Sequence, residues 1–246
     1  MNGYLTKGEI DEICESMILD YMKKTSQTYI KCVDIEGFLI DYLKCTLIYE
    51  NIAEPDDANK MAFKANGVKP LHIRDSSGKI KQVVYPANTI VLDKYFLAYE
   101  RSAARRFTIG HECGHVVKER LYQTECCASY YRDASVASSI PSEEICEYFK
   151  MEETQASNFS AAFLMPHFLM VQTLKEFNGG KRLPVYGNQI FKSREKVILK
   201  KMADSLGVGF MAQFYRLKHF GMLSEHCMSE FIEKEMGFGG GSNVNT

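Results

Sequence analysis

Residues 111–115 read His-Glu-Cys-Gly-His: two imidazoles four positions apart, with a carboxylate directly after the first. On a helix, positions four apart share a face, so both rings can reach one ion. Neutral imidazole is a good ligand for zinc. Glu112 lies about 100° round the helix from His111, away from a coordinating position. It is placed instead to hold a water at the ion and accept its proton. Those are the parts needed to attack a peptide carbonyl. The bland alternative is a solvated helix face that happens to carry two histidines. Context weakens it, because Phe107, Val116, Val117 and Leu121 give the segment an apolar side to anchor in a core.

Two histidines and a water leave a catalytic zinc one protein ligand short. Residues 141–166 offer Glu143, Glu144, Glu147, Glu152 and Glu153. The apolar stripe of that stretch is Ile145, Phe149, Ala156, Phe159 and Phe163, with Glu152 near its centre and Glu153 on its flank. A carboxylate on a core-facing stripe is costly to bury unless it is paired or binds a metal. Periodicity therefore nominates Glu152 or Glu153, and slightly favours Glu152.

Elements must position these groups. Ile10, Ile13, Met17, Ile18 and Met22 predict an amphipathic helix over 7–24. Asp34 is an N-cap for a second helix reaching about Lys44, with Phe38, Leu39 and Leu43 inward. Residues 46–49 read as a short strand. Residues 69–74 and 80–85 flank Asp75-Ser-Ser-Gly78, a hairpin turn. Residues 89–93 follow as another strand. Together they predict a small twisted sheet of three or four strands, expected to be antiparallel. The metal helix spans about 99–122, and residues 123–141 form a polar loop. Pro141 and the N-cap Ser142 open the long ligand helix, which Pro166 ends. A polar loop surrounds 178–181, and short helices are expected over 193–206 and 210–218.

The 246 residues allow one large domain, or one domain with a small helical appendage. Net charge is −1, which gives no case for nucleic acid or an anionic membrane as partner. The N-terminus lacks a basic stretch followed by an apolar core, and no apolar run nears the ~20 residues that span a bilayer. The expected location is the cytoplasm. Eight cysteines include no C-x-x-C pair, which argues for reduced thiols and against a zinc knuckle. Cys126-Cys127 are expected to be buried small hydrophobes.

Arg105-Arg-Phe-Thr-Ile-Gly-His-Glu-Cys-Gly-His115 resembles the R-R-F-T-x-A-H-E-x-G-H segment of the ImmA/IrrE-type metallopeptidases. Glu153-Thr-Gln-Ala-Ser-Asn-Phe-Ser-Ala-Ala-Phe-Leu-Met-Pro166 is similar to that family's later E-x-x-A-x-x-F-A-x-x-L-L-M-P helix, the more discriminating block. Residues 202–223 are a weaker match to its C-terminal helical segment. The resemblance implies an α+β, zincin-like fold of the gluzincin type: a small twisted antiparallel or mixed sheet, a HExxH helix, a ligand helix and a C-terminal helical segment. It implies one zinc ion held by His111, His115 and Glu153, with Glu112 as catalytic base. It also implies site-specific cleavage of a helix-turn-helix (Xre-like) transcriptional repressor inside the cell, in the setting of mobile genetic elements. Gly110 and Ser160 each replace an Ala of the pattern, the first harmless in size. Ser157 stands where many relatives carry Asn, a position from which it could orient a ligand. The expected division is 1–170 for the peptidase domain, 171–236 for a C-terminal helical subdomain and 237–246 for a disordered tail.

Residues 202–222 have a helix–Gly–helix rhythm, with Arg216, Lys218 and His219 supplying positive charge; the neutral net charge favours packing or substrate docking over DNA. His167 is expected at the surface rather than at an oxyanion. Tyr122, Tyr130 and Tyr131 are open candidates for an oxyanion donor. Residues 89–93 are the candidate edge strand for pairing with extended substrate. The competing function class is a metal-binding regulatory or antitoxin-like protein that acts by binding. An intact Glu112 favours the enzyme, since a structural site needs no base there.

Overall fold

The computed structural model describes residues 4–53, 62–122 and 143–237. Contacts divide the chain into two units, Met1–His167 and Phe168–Thr246. The architecture is mixed α+β with small sheets.

The first unit opens with α1 (Lys7–Lys24). Thr6 caps it: its hydroxyl accepts from the Glu9 amide, while the Glu9 carboxylate accepts from the Thr6 amide. Ile10, Cys14, Ile18, Tyr21 and Met22 form its buried side. A helical turn, α2 (Ile35–Gly37), continues as a π-helical stretch over Phe38–Tyr42. Asp34 caps α2 as expected, accepting from the Gly37 amide at 3.0 Å, and Phe38, Leu39 and Leu43 point inward. The helix is nevertheless shorter and more widely wound than the regular one expected.

Five strands follow: β1 (Thr46–Glu50), β2 (Ala62–Lys64), β3 (Pro70–Arg74), β4 (Ile80–Val84) and β5 (Thr89–Asp93). Their arrangement agrees with the mixed alternative and corrects the expectation of one antiparallel sheet read from the strand pattern. β1, β5 and β2 form a mixed sheet in that order, with β1 and β5 parallel and β2 antiparallel to β5. β3 and β4 form a separate hairpin, joined to the end of β1 by an Ile52–Ile73 bridge. Asp75 makes the hairpin turn, its carboxylate accepting from the amides of Ser77 and Lys79. The expectation of an edge strand at Thr89–Asp93 is also corrected. It is the central strand, buried along its whole length. The run Ile90-Val-Leu92 is continuously apolar rather than alternating, which is the pattern of a strand covered on both faces.

Two helices complete the unit: α3 (Ser102–Tyr122), preceded by 3-10 turns at Lys94–Leu97 and Tyr99–Arg101, and α4 (Glu143–Leu164). The expected cap Ser142, the loop 123–141 and Cys126-Cys127 lie outside the described residues. α1 and α3 both pack on α4. Phe38 meets Phe163 at 5.0 Å between ring centroids, and Phe159 lies 5.9 Å from Phe163.

The second unit begins within α5 (His167–Asn178) and continues through β6 (Leu183–Tyr186), α6 (Ser193–Leu206), α7 (Phe210–His219), β7 (Leu223–His226) and α8 (Met228–Met236). The expected helices at 193–206 and 210–218 are present. α5, α8 and the parallel β6–β7 pair are additions to the expected elements. Gly207 ends α6 in the left-handed region at φ 64°, a conformation that favours glycine. Arg216 is buried, with its guanidinium 4.3 Å from the Phe220 ring centroid, so it packs rather than supplying exposed charge. Lys218 and His219 are exposed. Of the tail expected to be disordered, all but Gly237 lies outside the described residues.

Candidate metal centre

α3 and α4 run in opposite directions against each other. Phe107 of α3 meets Ser160 of α4, His111 meets Ser157, His115 meets Glu153 and Lys118 meets Glu152. Glycine makes this close approach feasible. A Cβ on Gly114 would stand 2.7 Å from Phe159 Cβ and 3.1 Å from the Ala156 carbonyl oxygen. A Cβ on Gly110 would stand 2.7 Å from Ser160 Oγ. That hydroxyl donates to the Phe107 carbonyl at 2.6 Å. Gly110 is therefore not merely harmless in size: the space an Ala would fill holds the Ser160 hydroxyl. Gly110→Ala alone is expected to destabilise the protein by ~1–3 kcal/mol through overpacking, and Ser160→Ala added to it should recover part of that loss, since the new Cβ would still stand 3.2 Å from the Cα and 3.3 Å from the Cβ of residue 160. Thermal melts of the four combinations check it, and strictly additive effects would refute it.

The chemistry-bearing side chains converge across this interface. His111 Nε2 and His115 Nε2 are 3.0 Å apart. Glu153 reaches them with one oxygen each, at 3.1 Å from His111 Nε2 and 3.5 Å from His115 Nε2. A group able to hold a metal ion is thus formed by His111, His115 and Glu153, its ligand atoms within 4.8 Å of one another. Geometry tests the fit. Ligands at ~2.0–2.2 Å from a tetrahedral ion stand about 3.3 Å from each other; the 3.0 Å between the two Nε2 atoms and the 3.1 Å from His111 Nε2 to one Glu153 oxygen lie near that spacing, while the 3.5 Å to His115 Nε2 is made by the other Glu153 oxygen. Burial pushes the Glu153 carboxylate up, but hydrogen bonds from the two histidines outweigh it and hold the group well below the usual carboxylate range.

Ser157 Oγ lies 3.4 Å from His111 Nδ1, the nitrogen turned away from the cluster. A partner there fixes the ring orientation and the tautomer that leaves Nε2 free for an ion. Glu112 is buried at 4% exposure, and its side chain makes no hydrogen bond or ion pair with another described residue. The neighbouring Cys113 is fully buried, and burial pushes its thiol well up, so it packs rather than reacts.

Glu152, the residue that periodicity slightly prefers, does not join the cluster. Its carboxylate lies 2.6 Å from Lys118 Nζ, and both side chains are buried. Spacing holds a signal for this partner: Lys118 is three residues beyond His115 and shares its stripe on α3. His167 is exposed, as expected, and its amide donates to Glu15. Tyr122 ends α3, while Tyr130 and Tyr131 lie outside the described residues. No helix among the described residues is long and apolar enough to cross a membrane.

In comparisons with known proteins, no family model matches the chain and no curated protein matches it either.

Proposed function

We propose that this chain is a zinc-dependent endopeptidase of the ImmA/IrrE type with a zincin-like fold, acting inside the cell on a helix-turn-helix repressor. The observation that carries the proposal is the convergence of His111, His115 and Glu153 across the α3–α4 interface beside a buried Glu112. Two imidazoles and one carboxylate form the donor set of many catalytic zinc sites, with one position left for water or substrate. A zinc ion bound there polarises a carbonyl and makes water acidic. His111 and His115 would present their Nε2 atoms, Ser157 would orient the first ring, and Glu153 would supply the carboxylate. Glu112 takes the proton of the attacking water and returns it to the departing amine.

The repressor as substrate rests on the family resemblance in the two sequence blocks. Restricted recognition calls for a docking surface beyond the site itself, since specificity is a difference of affinities. Residues 190–223 are proposed to supply it. The exposed Arg194, Lys200 and Lys201 of α6 suit that role; the packed Arg216 does not.

The test is to purify the protein, measure its metal content, and incubate it with a repressor encoded beside it and with casein. The expected result is one zinc per chain and cleavage of the repressor at one or two bonds, with casein spared. A chelator should abolish cleavage and added zinc restore it. Stoichiometric zinc with no cleavage of any tested repressor would favour the regulatory, binding-only reading instead.

A further inference from the structure

Glu152 and Glu153 are consecutive, so their side chains leave α4 about 100° apart. Both meet α3, within one turn of each other on its His111–His115–Lys118 stripe. Their environments differ sharply. The Glu152 side chain is 6% exposed and Lys118 is 5% exposed, whereas the Glu153 side chain is 39% exposed. Glu119, the next acid along α3, is held by Lys64 of β2 and so is engaged elsewhere.

A carboxylate this deeply buried needs a positive partner. Without the Lys118 ammonium, an ion held at Glu153, the next residue of α4, would be a positive partner within the same helix–helix interface. The same chain would then offer two adjacent carboxylates to one coordination site. Resting on the metal-site reading above, we infer that Lys118 is a positioning residue: by holding Glu152, it determines that Glu153 alone serves as the carboxylate ligand. The pair also joins α3 to α4 at the end of the interface remote from Gly110 and Ser160, and so opposes rotation of α4 about its own axis. A purely structural role would fasten the helices without choosing between carboxylates, and the two roles separate experimentally.

The experiment is a double-mutant cycle read as zinc affinity, measured by competition with a chromophoric chelator on the full-length protein. Thermal melting of the metal-free protein is followed in parallel. With Lys118 present, Glu153→Gln is expected to weaken zinc binding about a hundredfold or more. In a Lys118→Met background the same change should weaken it by less than about tenfold, because the released Glu152 takes the ligand position. Adding Glu152→Leu to that background should restore the full loss. Lys118→Gln, an uncharged residue that still donates a hydrogen bond, serves as the second variant in case Lys118→Met does not fold. Equal losses from Glu153→Gln in both backgrounds would overturn the inference and leave the metal site standing. If neither Lys118 variant folds without metal, the pair is structural glue and the inference falls. If neither His111→Ala nor Glu153→Gln lowers zinc affinity in the unaltered background, it is the metal-site reading that fails.

Discussion

Glu112→Gln is expected to leave fold and zinc content intact while lowering peptidase activity by about a hundredfold or more. Gln matches Glu in volume, so the buried site is neither opened nor overfilled. The Glu112 side chain makes no hydrogen bond or ion pair with another described residue, so the substitution breaks no such contact that holds α3 in place. What is lost is the ability to accept a proton. Metal analysis, a melting curve and a cleavage assay on one preparation check the three parts together. Near-normal cleavage would remove Glu112 from the mechanism, and loss of zinc would make it a ligand or a structural support instead.

His111→Ala is expected to strip most of the zinc from the purified protein. It removes one of the three candidate ligand atoms, and with it the ring that lies 3.4 Å from Ser157 Oγ. The two remaining donors, His115 and Glu153, come from different helices, so the loss falls on the site that joins them. Losing one protein ligand should weaken binding by about a hundredfold or more. Elemental analysis decides it, and a variant that keeps stoichiometric zinc would sink the site assignment. Glu153→Gln and Glu152→Gln belong in the same series. A larger loss from Glu152→Gln would show that the carboxylate paired with Lys118 is the true ligand.

Much of this fold is legible without coordinates. α1, the Asp34 cap, the 75–78 turn and α3 each rest on interactions within a few residues, which a linear pattern records. The pairing of β1 with β5 is a different matter. It joins residues more than forty positions apart, and strand-forming composition does not say which neighbour a strand takes. The continuous apolar run of Ile90, Val91 and Leu92 does hold the information that β5 is covered on both faces. α5 escapes a reading in which Pro166 ends helical structure, because the proline ends only α4 and a new helix starts at the next residue. Within the site, His111 and His115 are legible from four-residue spacing. The choice between Glu152 and Glu153 is not, because a shift of one position on a helical stripe is small compared with the width of that stripe. In the fold Lys118 engages Glu152, and Glu153 is the carboxylate that meets the two histidines. Arg216 shows the same limit in reverse: a charged residue type suggests a surface role, and the fold stacks it on Phe220.

The meeting of Gly110 with Ser160 carries a consequence for descent. The two positions are coupled sterically, so changes at them are expected to depend on one another, with one order of change smoother than the other. Starting from alanine at both, Gly110 can arise first at about 1 kcal/mol of helix propensity, leaving a small gap. Ser160 can then fill that gap and bond to the Phe107 carbonyl. The reverse order places a hydroxyl 2.7 Å from a methyl carbon and must pass through a strained ancestor. Among relatives of this chain, glycine at position 110 with alanine at position 160 should therefore occur as a surviving intermediate. Alanine at position 110 with serine at position 160 should be rare. A phylogeny in which the serine repeatedly precedes the glycine would contradict that history.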